Sequence, residues 1–548
     1  MSQPHLLSAN NQVPPASAAR SAKRAYPLLT LEAGILCGVM ALALALRLWH
    51  LAALTDNYDE GVYLASLRAM RSGGALFTQV FSSQPPLFLL SLYPFVWLFG
   101  PTMLAARSGV VFFSLIGLLA MYLLARRLGG PWAGAAAALL LACDHLFLIQ
   151  SQSLEAEVPS IALMIAAVAA AVYVDRAPWQ ASALSGVFTS LALLEKLLFP
   201  LAAIAAIALL FLGHLSVFER GQQTQMLSDP AGSGRITRYL PHWQTIRRAA
   251  MLGGAYLLSL LLVVVLVFLP YLGHLPAAYQ QIVSFHLAAG QSFPTSVSQN
   301  WQILSGNFGQ DMPLVLLSFL GMIAGLLRRR WAVLIGGAWT LVALVILLRQ
   351  TPLFPHHLVL LIPGLALTAA LGLMPAPATI ASDMTAFRQR LRPLLLSLSG
   401  QSTRLVLVWL PALLVVGVLA LNLRANLDQP LGMPAANAAR LSQVASDLRL
   451  LTTPQQSVIT DDQYIATLAG RDVPPELVDT STVRITTGYL TTAQVITIAE
   501  QPQVGAILFY SGRFQALPGF SDWVAQHFHL ARTYGPEQAL YLKDAPIP

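Results

Sequence analysis

The sequence predicts a mainly α-helical, polytopic membrane protein with about 11 transmembrane helices and a small C-terminal extracytoplasmic α/β domain. Three observations predict it. The 548-residue chain is 56% hydrophobic and only 10% charged, too apolar for a soluble protein of that size. Its apolar residues gather into a first run at 27–54 and ten stretches centred near 115, 140, 166, 187, 205, 261, 319, 340, 366 and 413. From about residue 428 the composition becomes that of a soluble domain.

Residues 1–25, rich in Ser, Ala and Pro, predict a disordered cytoplasmic tail that ends in the basic flank Arg20, Lys23 and Arg24. The run at 27–54 is too long for the apolar core of a signal peptide and reads as an uncleaved anchor. Eleven spans then place the C-terminal segment outside. Loop charge agrees. Arg126, Arg127, Arg176, Arg220, Arg235, Arg238, Arg247, Arg248, Arg328 to Arg330, Arg388, Arg390, Arg392 and Arg404 fall inside. Only Arg68, Arg71, Arg107, Lys196 and Arg349 fall outside before the tail. The expected location is the plasma membrane. Net charge is +8 and the pI about 9.6, but the basic residues form no patch with interleaved aromatics, so nucleic acid is excluded as a partner. Cys37 and Cys143 both lie in apolar runs and suit packing.

A transmembrane module is thus expected over 26–425, with a long first outer loop at 55–103. Within that loop, Pro85 and Pro86 start an apolar segment whose Tyr93, Phe95, Trp97 and Phe99 suit an interfacial helix. A second outer loop, 274–311, carries a single formal charge at Asp311. In the domain at 428–548, SVITDD and VGAILFY read as strands and 436–451, 491–500 and 518–529 as helices. RTYGPEQALYLKD reads as a hairpin.

The stretch TDNYDEGVYLASLRAMRSGG, 55–74, places Asp59 and Glu60 side by side where the chain leaves the membrane. Asn57 followed by Glu60 fits a variant capping box, Arg68 and Arg71 suit a last turn, and Gly73 and Gly74 stop the helix. That alone describes an amphipathic helix on the outer surface, with acids that cap it. Other charges gather at the same side: Glu155 and Glu157, Glu195 and Lys196, Arg349, His356 and His357. Acids and bases collected at one face point to an aqueous cavity at the outer leaflet. Glu155 and Glu157, with other outer-loop carboxylates, could hold a divalent cation; alternatively Glu155 caps the fourth span and Glu157 orients an acceptor or a basic partner.

DNYDEGVY, SQPPLFLL, AARSGVVFFSLIGLLAMYLLARRLGG, SLEAEVPSIALMIAA, LALLEKLLFP and PHHLVLLIPGLAL follow one another in an order that resembles the C-type membrane glycosyltransferases related to protein O-mannosyltransferases and the lipid A aminoarabinose transferase. The resemblance covers about 27–375 and reaches the tail only loosely. It implies transfer of a hexosyl or pentosyl unit from a polyprenyl-phosphate-linked donor to a lipid, protein or glycan acceptor on the outer face. It also implies that Asp59, with Glu60 beside it, is the catalytic base of an inverting single displacement. The leaving lipid phosphate needs cations. Arg68, Arg71, Arg107, Lys196, Arg349, His356 and His357 are the candidates. Gln84 stands where the aminoarabinose-transferase branch has a phosphate-contacting lysine, so the phosphate must lean on other cations. The helix dipole lowers the basicity of Asp59, whereas burial and Glu60 raise it.

A carrier or flippase for a lipid-linked or anionic substrate is the alternative. It calls for internal repeats and midplane charge, neither of which the sequence displays. A polymerase or ligase acting on a lipid-linked oligosaccharide shares the topology and differs in the size of its donor.

Overall fold

The computed structural model describes residues 16–227, 240–309, 311–375 and 401–543. Helix α1 spans Ala16–Leu48, so the tail boundary expected at residue 25 falls within a helix. Residues 1–15 and the expected inside charges Arg235, Arg238, Arg388, Arg390 and Arg392 lie outside the described residues.

Each of the eleven apolar stretches forms a helix. After α2 (Tyr58–Arg71) and α3 (Pro86–Phe99) come α4 (Met103–Gly129), α5 (Pro131–Cys143), α6 (His145–Gln152), α7 (Glu157–Ala171), α8 (Pro178–Glu195), α9 (Leu201–Leu227) and α10 (Leu240–Phe268). Three short helices, α11 (Leu275–Tyr279), α12 (Phe285–Ser292) and α13 (Val297–Asn307), occupy the segment expected as the second outer loop. They lead to α14 (Met312–Leu327), α15 (Val333–Arg349), α16 (Ile362–Leu373) and α17 (Gln401–Asp428). By length and composition, five of these segments can cross a membrane, or up to seven if each bent pair counts once; α5 and α6 bend by 65°. This is fewer than the expected 11. The shortfall has a physical reason. Helix α7 is a 15-residue element buried along its whole length, about 22 Å at 1.5 Å per residue, and packed by protein rather than lipid. Helix α10, by contrast, exposes Leu257, Leu258, Leu261, Leu262 and Val265, the surface expected against hydrocarbon.

The two ends of the bundle differ. At one end Arg126 pairs with Glu32 at 2.6 Å and Arg127 with Asp175 at 2.5 Å, tying α4 to α1 and to the turn after α7. The other end carries α2, α3 and a four-stranded sheet. The strands are β1 (Ser457–Thr460), β2 (Val504–Phe509), β3 (Phe528–Gly535) and β4 (Gln538–Lys543), in the order β1-β2-β4-β3. β1 and β2 run parallel, and β2 is buried throughout, as a strand covered on both faces must be. β3 and β4 form the expected hairpin. Helix α18 (Ala435–Leu451) lays Leu441, Val444 and Leu448 against Val458, Leu508 and Leu540 of the sheet.

The C-terminal domain is bound to α2 and to the residues just before it. Arg68 pairs with Asp472 at 2.6 Å, and the Met433 N–H donates to the Leu54 carbonyl at 2.8 Å. The Arg513 guanidinium lies 3.7 Å from the centre of the Tyr58 ring. α2 is therefore buried between the bundle and the sheet, not laid on an outer surface: Leu64 and Leu67 are sealed in.

Candidate active site

Helix α2 starts where Asn57 turns its side-chain oxygen back to the Asp59 N–H at 3.0 Å. It stops at Gly73, whose φ of +94° suits glycine. The expected capping box is only half present, because Glu60 does not return to the cap. Successive helical residues point about 100° apart, and the two adjacent carboxylates go to opposite environments.

Glu60 faces inward and is fully buried. Its Oε1 accepts from Arg107 Nε at 2.7 Å and from the Leu154 N–H at 2.7 Å; its Oε2 accepts from Arg107 Nη2 and the Thr55 hydroxyl, each at 2.5 Å. Arg107 gives its other N–H groups to the carbonyls of Leu51 (2.8 Å) and Ala53 (2.7 Å) and to Thr55 (3.2 Å). All five of its donors are used. This corrects two expectations. Glu60 has no lone pair directed at a reacting group, and Arg107 has no N–H to spare for a phosphate. Both belong to a structural lock that joins α2, α4 and the segment before α7. Arg68 is likewise engaged, with Asp472 and with the Pro101 carbonyl at 3.3 Å, and Arg71 with the Val96 carbonyl at 2.6 Å. Arg349 is exposed at the end of α15.

Asp59 is half-buried and lies within electrostatic reach of a cluster drawn from three other elements. Glu155 and Glu157 come from the start of α7, Lys196 from the end of α8, and His356 and His357 from the turn before α16. Glu157 is the hub. Lys196 Nζ bonds its Oε1, and the Nε2 atoms of His356 and His357 lie 3.4 and 3.7 Å from that same oxygen. Gln350 Nε2 holds His357 Nδ1 at 3.0 Å. Asn57 joins the helix cap to the cluster by donating to Glu155 Oε1 at 2.5 Å, while Glu155 Oε2 is buried with no hydrogen-bond partner. Gln84 reaches only the Tyr63 hydroxyl, at 3.5 Å.

Burial is the largest influence on both Asp59 and Glu155. It pushes Asp59 up to about 6, helped by the negative charge of Glu155 and opposed by His356. It pushes Glu155 up to about 8, helped by Glu157 and opposed by the Asn57 hydrogen bond. Burial thus sets the direction at Asp59. The assisting anion is Glu155 rather than Glu60, whose charge Arg107 meets.

The fit of a divalent cation follows from the donor set. One ligand atom each from Glu157, His356 and His357 lie within 4.8 Å of one another, a nitrogen-rich set that suits a zinc-like ion better than magnesium or calcium. Lys196 donates into the oxygen such an ion would use, so an ion would have to displace the ammonium. Glu155, expected to share the ion with Glu157, stands outside this triad.

Sequence reasoning missed Tyr63, one helical turn after Asp59 on the same face, a spacing that could have revealed it. It also missed Asp479, whose charge acts on Asp59 from the far end of the chain; no local pattern signals that approach.

Residues 83–221 match a family model described as dolichyl-phosphate-mannose-protein mannosyltransferase. The fold is similar to that of ArnT from Cupriavidus metallidurans in the apo state. Identity is 16% over 94% of this chain and 98% of that chain, with a TM-score of 0.57. ArnT bound to undecaprenyl phosphate gives 15% identity, the same coverage and a TM-score of 0.58. The arabinofuranosyltransferase AftD from Mycobacteria gives 14%, 93% of this chain and 40% of that chain, and a TM-score of 0.50. No curated protein matches by sequence. The resemblance to C-type membrane glycosyltransferases therefore holds in both the family-model match and the fold.

Proposed function

We propose that the protein transfers one sugar from a polyprenyl-phosphate donor to an acceptor hydroxyl at the outer face of the membrane, by an inverting displacement with Asp59 as base. The observation that carries the reading is the division of labour on α2: Glu60 is locked, while Asp59 lies within electrostatic reach of the cation-bearing cluster with its carboxyl raised toward neutrality. As the acceptor oxygen bonds the anomeric carbon, its proton passes to Asp59 and the bond from that carbon to the phosphate oxygen breaks. The polyprenyl phosphate leaves with the electron pair. Lys196 and the His356–His357 pair meet the charge that develops on it. Lys196 is restrained by Glu157, so the incoming phosphate exchanges for a carboxylate rather than meeting a free ammonium. A divalent cation held by Glu157, His356 and His357 would replace these imidazole contacts and the ammonium, and would supply Lewis-acid stabilisation of the phosphate in their place. Gln84, at the Tyr63 hydroxyl, would add a neutral donor to the phosphate, and Arg349, exposed at the end of α15, a peripheral cation.

The match to a mannosyltransferase family model supports an enzyme over a carrier. The test uses purified protein in lipid with an undecaprenyl-phosphate sugar of known anomeric configuration. Transfer with inversion at the anomeric carbon is expected. Retention, or uptake of the donor without transfer, would contradict the reading.

A further inference from the structure

A cavity of about 240 Å³ lies between residues 55–58 at the start of α2 and the C-terminal domain. Its inner wall is Thr55 to Tyr58. Its outer wall is Asn437 and Arg440 of α18, Asp462 and Tyr464 after β1, and Tyr510 after β2. The position is telling. Asp462 and Tyr510 leave the carboxyl ends of two parallel strands, the crevice in which α/β sheets hold ligands. That crevice is built. Buried Asp461 ties its two loops together, its Oδ1 accepting from the N–H groups of Tyr510 (2.8 Å) and Ser511 (3.1 Å). Asp462 beside it keeps a buried Oδ1 with no hydrogen-bond partner. Arg440 commits Nη2 to Gln538 and to the Tyr534 carbonyl, and keeps its other nitrogens.

The chemistry of the walls narrows the ligand. Two carboxylates, Asp56 and Asp462, outnumber the one guanidinium, which disfavours a phosphate or any anion. Acceptors, donors and three tyrosines within one small space suit a compound that both donates and accepts through many hydroxyls and presents an apolar ring face. We propose that this cavity is an acceptor subsite that takes a neutral, hydroxyl-rich glycan unit beside the start of α2, the helix that carries the base. The assignment as acceptor rests on the transfer reading above; the pocket and its ligand class do not. Binding energy gathered here, remote from the reacting atoms, would hold the acceptor hydroxyl toward Asp59. Asn57 belongs to both sites, since it lines the cavity and holds Glu155.

The experiment measures binding of neutral mannose, glucose and N-acetylglucosamine trisaccharides to the full-length protein in lipid nanodiscs by saturation-transfer NMR. The wild type, Asn437→Trp, which fills the cavity from an exposed helix position, and Asp462→Asn are compared. At least one trisaccharide is expected to bind the wild type. Affinity should fall tenfold or more in Asn437→Trp and several-fold in Asp462→Asn, with binding of the undecaprenyl-phosphate sugar unchanged in both. Failure of all three trisaccharides to bind, or binding undiminished in both variants, overturns the proposal. Trisaccharide binding that depends on Asn437 and Asp462 in a protein that transfers no sugar would sustain the pocket and remove its acceptor role.

Discussion

Asp59 and Glu60 are neighbours whose substitutions should separate cleanly. Glu60→Gln leaves Arg107 buried without its anion, which costs about 3–5 kcal/mol, so the unfolding midpoint should drop sharply. Asp59→Asn should do the opposite. Because the folded carboxyl titrates near 6, above its ordinary value, ionising it costs stability as pH rises from about 4 through 6. The amide removes that cost, and at pH 8 the variant should melt slightly above wild type. A lower midpoint for Asp59→Asn than for Glu60→Gln would contradict the assignment. The same value sets the pH dependence of transfer. A base must be ionised, so kcat/KM should rise with pH through about 6 and be lost below it. A limb near 4 would mean a base with an ordinary carboxyl. The sequence marked this pair as chemically unusual, yet it could not tell one member from the other. Their separation depends on Arg107, 47 residues on, and on the backbone before α7.

At the scale of elements, α2 was legible in detail: Asn57 starts it, Gly73 ends it, and Leu64 and Leu67 form its buried side. The strands were legible for the same reason, since VGAILF is a short continuous apolar run and the hairpin turn carries Gly and Pro. What covers α2 was not legible. A Cβ on Gly61 would come within 2.4 Å of the Tyr464 nitrogen and 2.9 Å of its Cα, so this glycine exists for the approach of the segment after β1. Backbone cannot yield as a flexible side chain can. Gly61→Ala should therefore cost about 1–3 kcal/mol and open the link near 428–434 to limited proteolysis. An unchanged cleavage pattern would show that the sheet is held elsewhere.

For the molecule as a whole, the collection of acids and bases at one end of the bundle was visible in sequence, because the signal was a count of charges by side. The number of crossings was less visible. α7 is short and wholly buried, and α5 and α6 bend at Asp144, so a hydropathy window cannot tell a lipid-facing span from a helix packed inside a bundle. Sidedness is open to direct measurement. In a background without Cys37 and Cys143, an impermeant maleimide should label Ser521→Cys in intact cells and Arg176→Cys only after permeabilisation. The reverse pattern would place the cluster on the wrong face for an outer-leaflet reaction.

The central claim is that Asp59 takes the acceptor proton. It is tested most directly by comparing wild type and Asp59→Asn in lipid, measuring both binding of a radiolabelled undecaprenyl-phosphate sugar and its transfer. Donor binding within about twofold of wild type and transfer reduced at least about a hundredfold is the expected result. Transfer at the wild-type rate by the folded variant would contradict the claim and return Asp59 to the role of a helix-end acid.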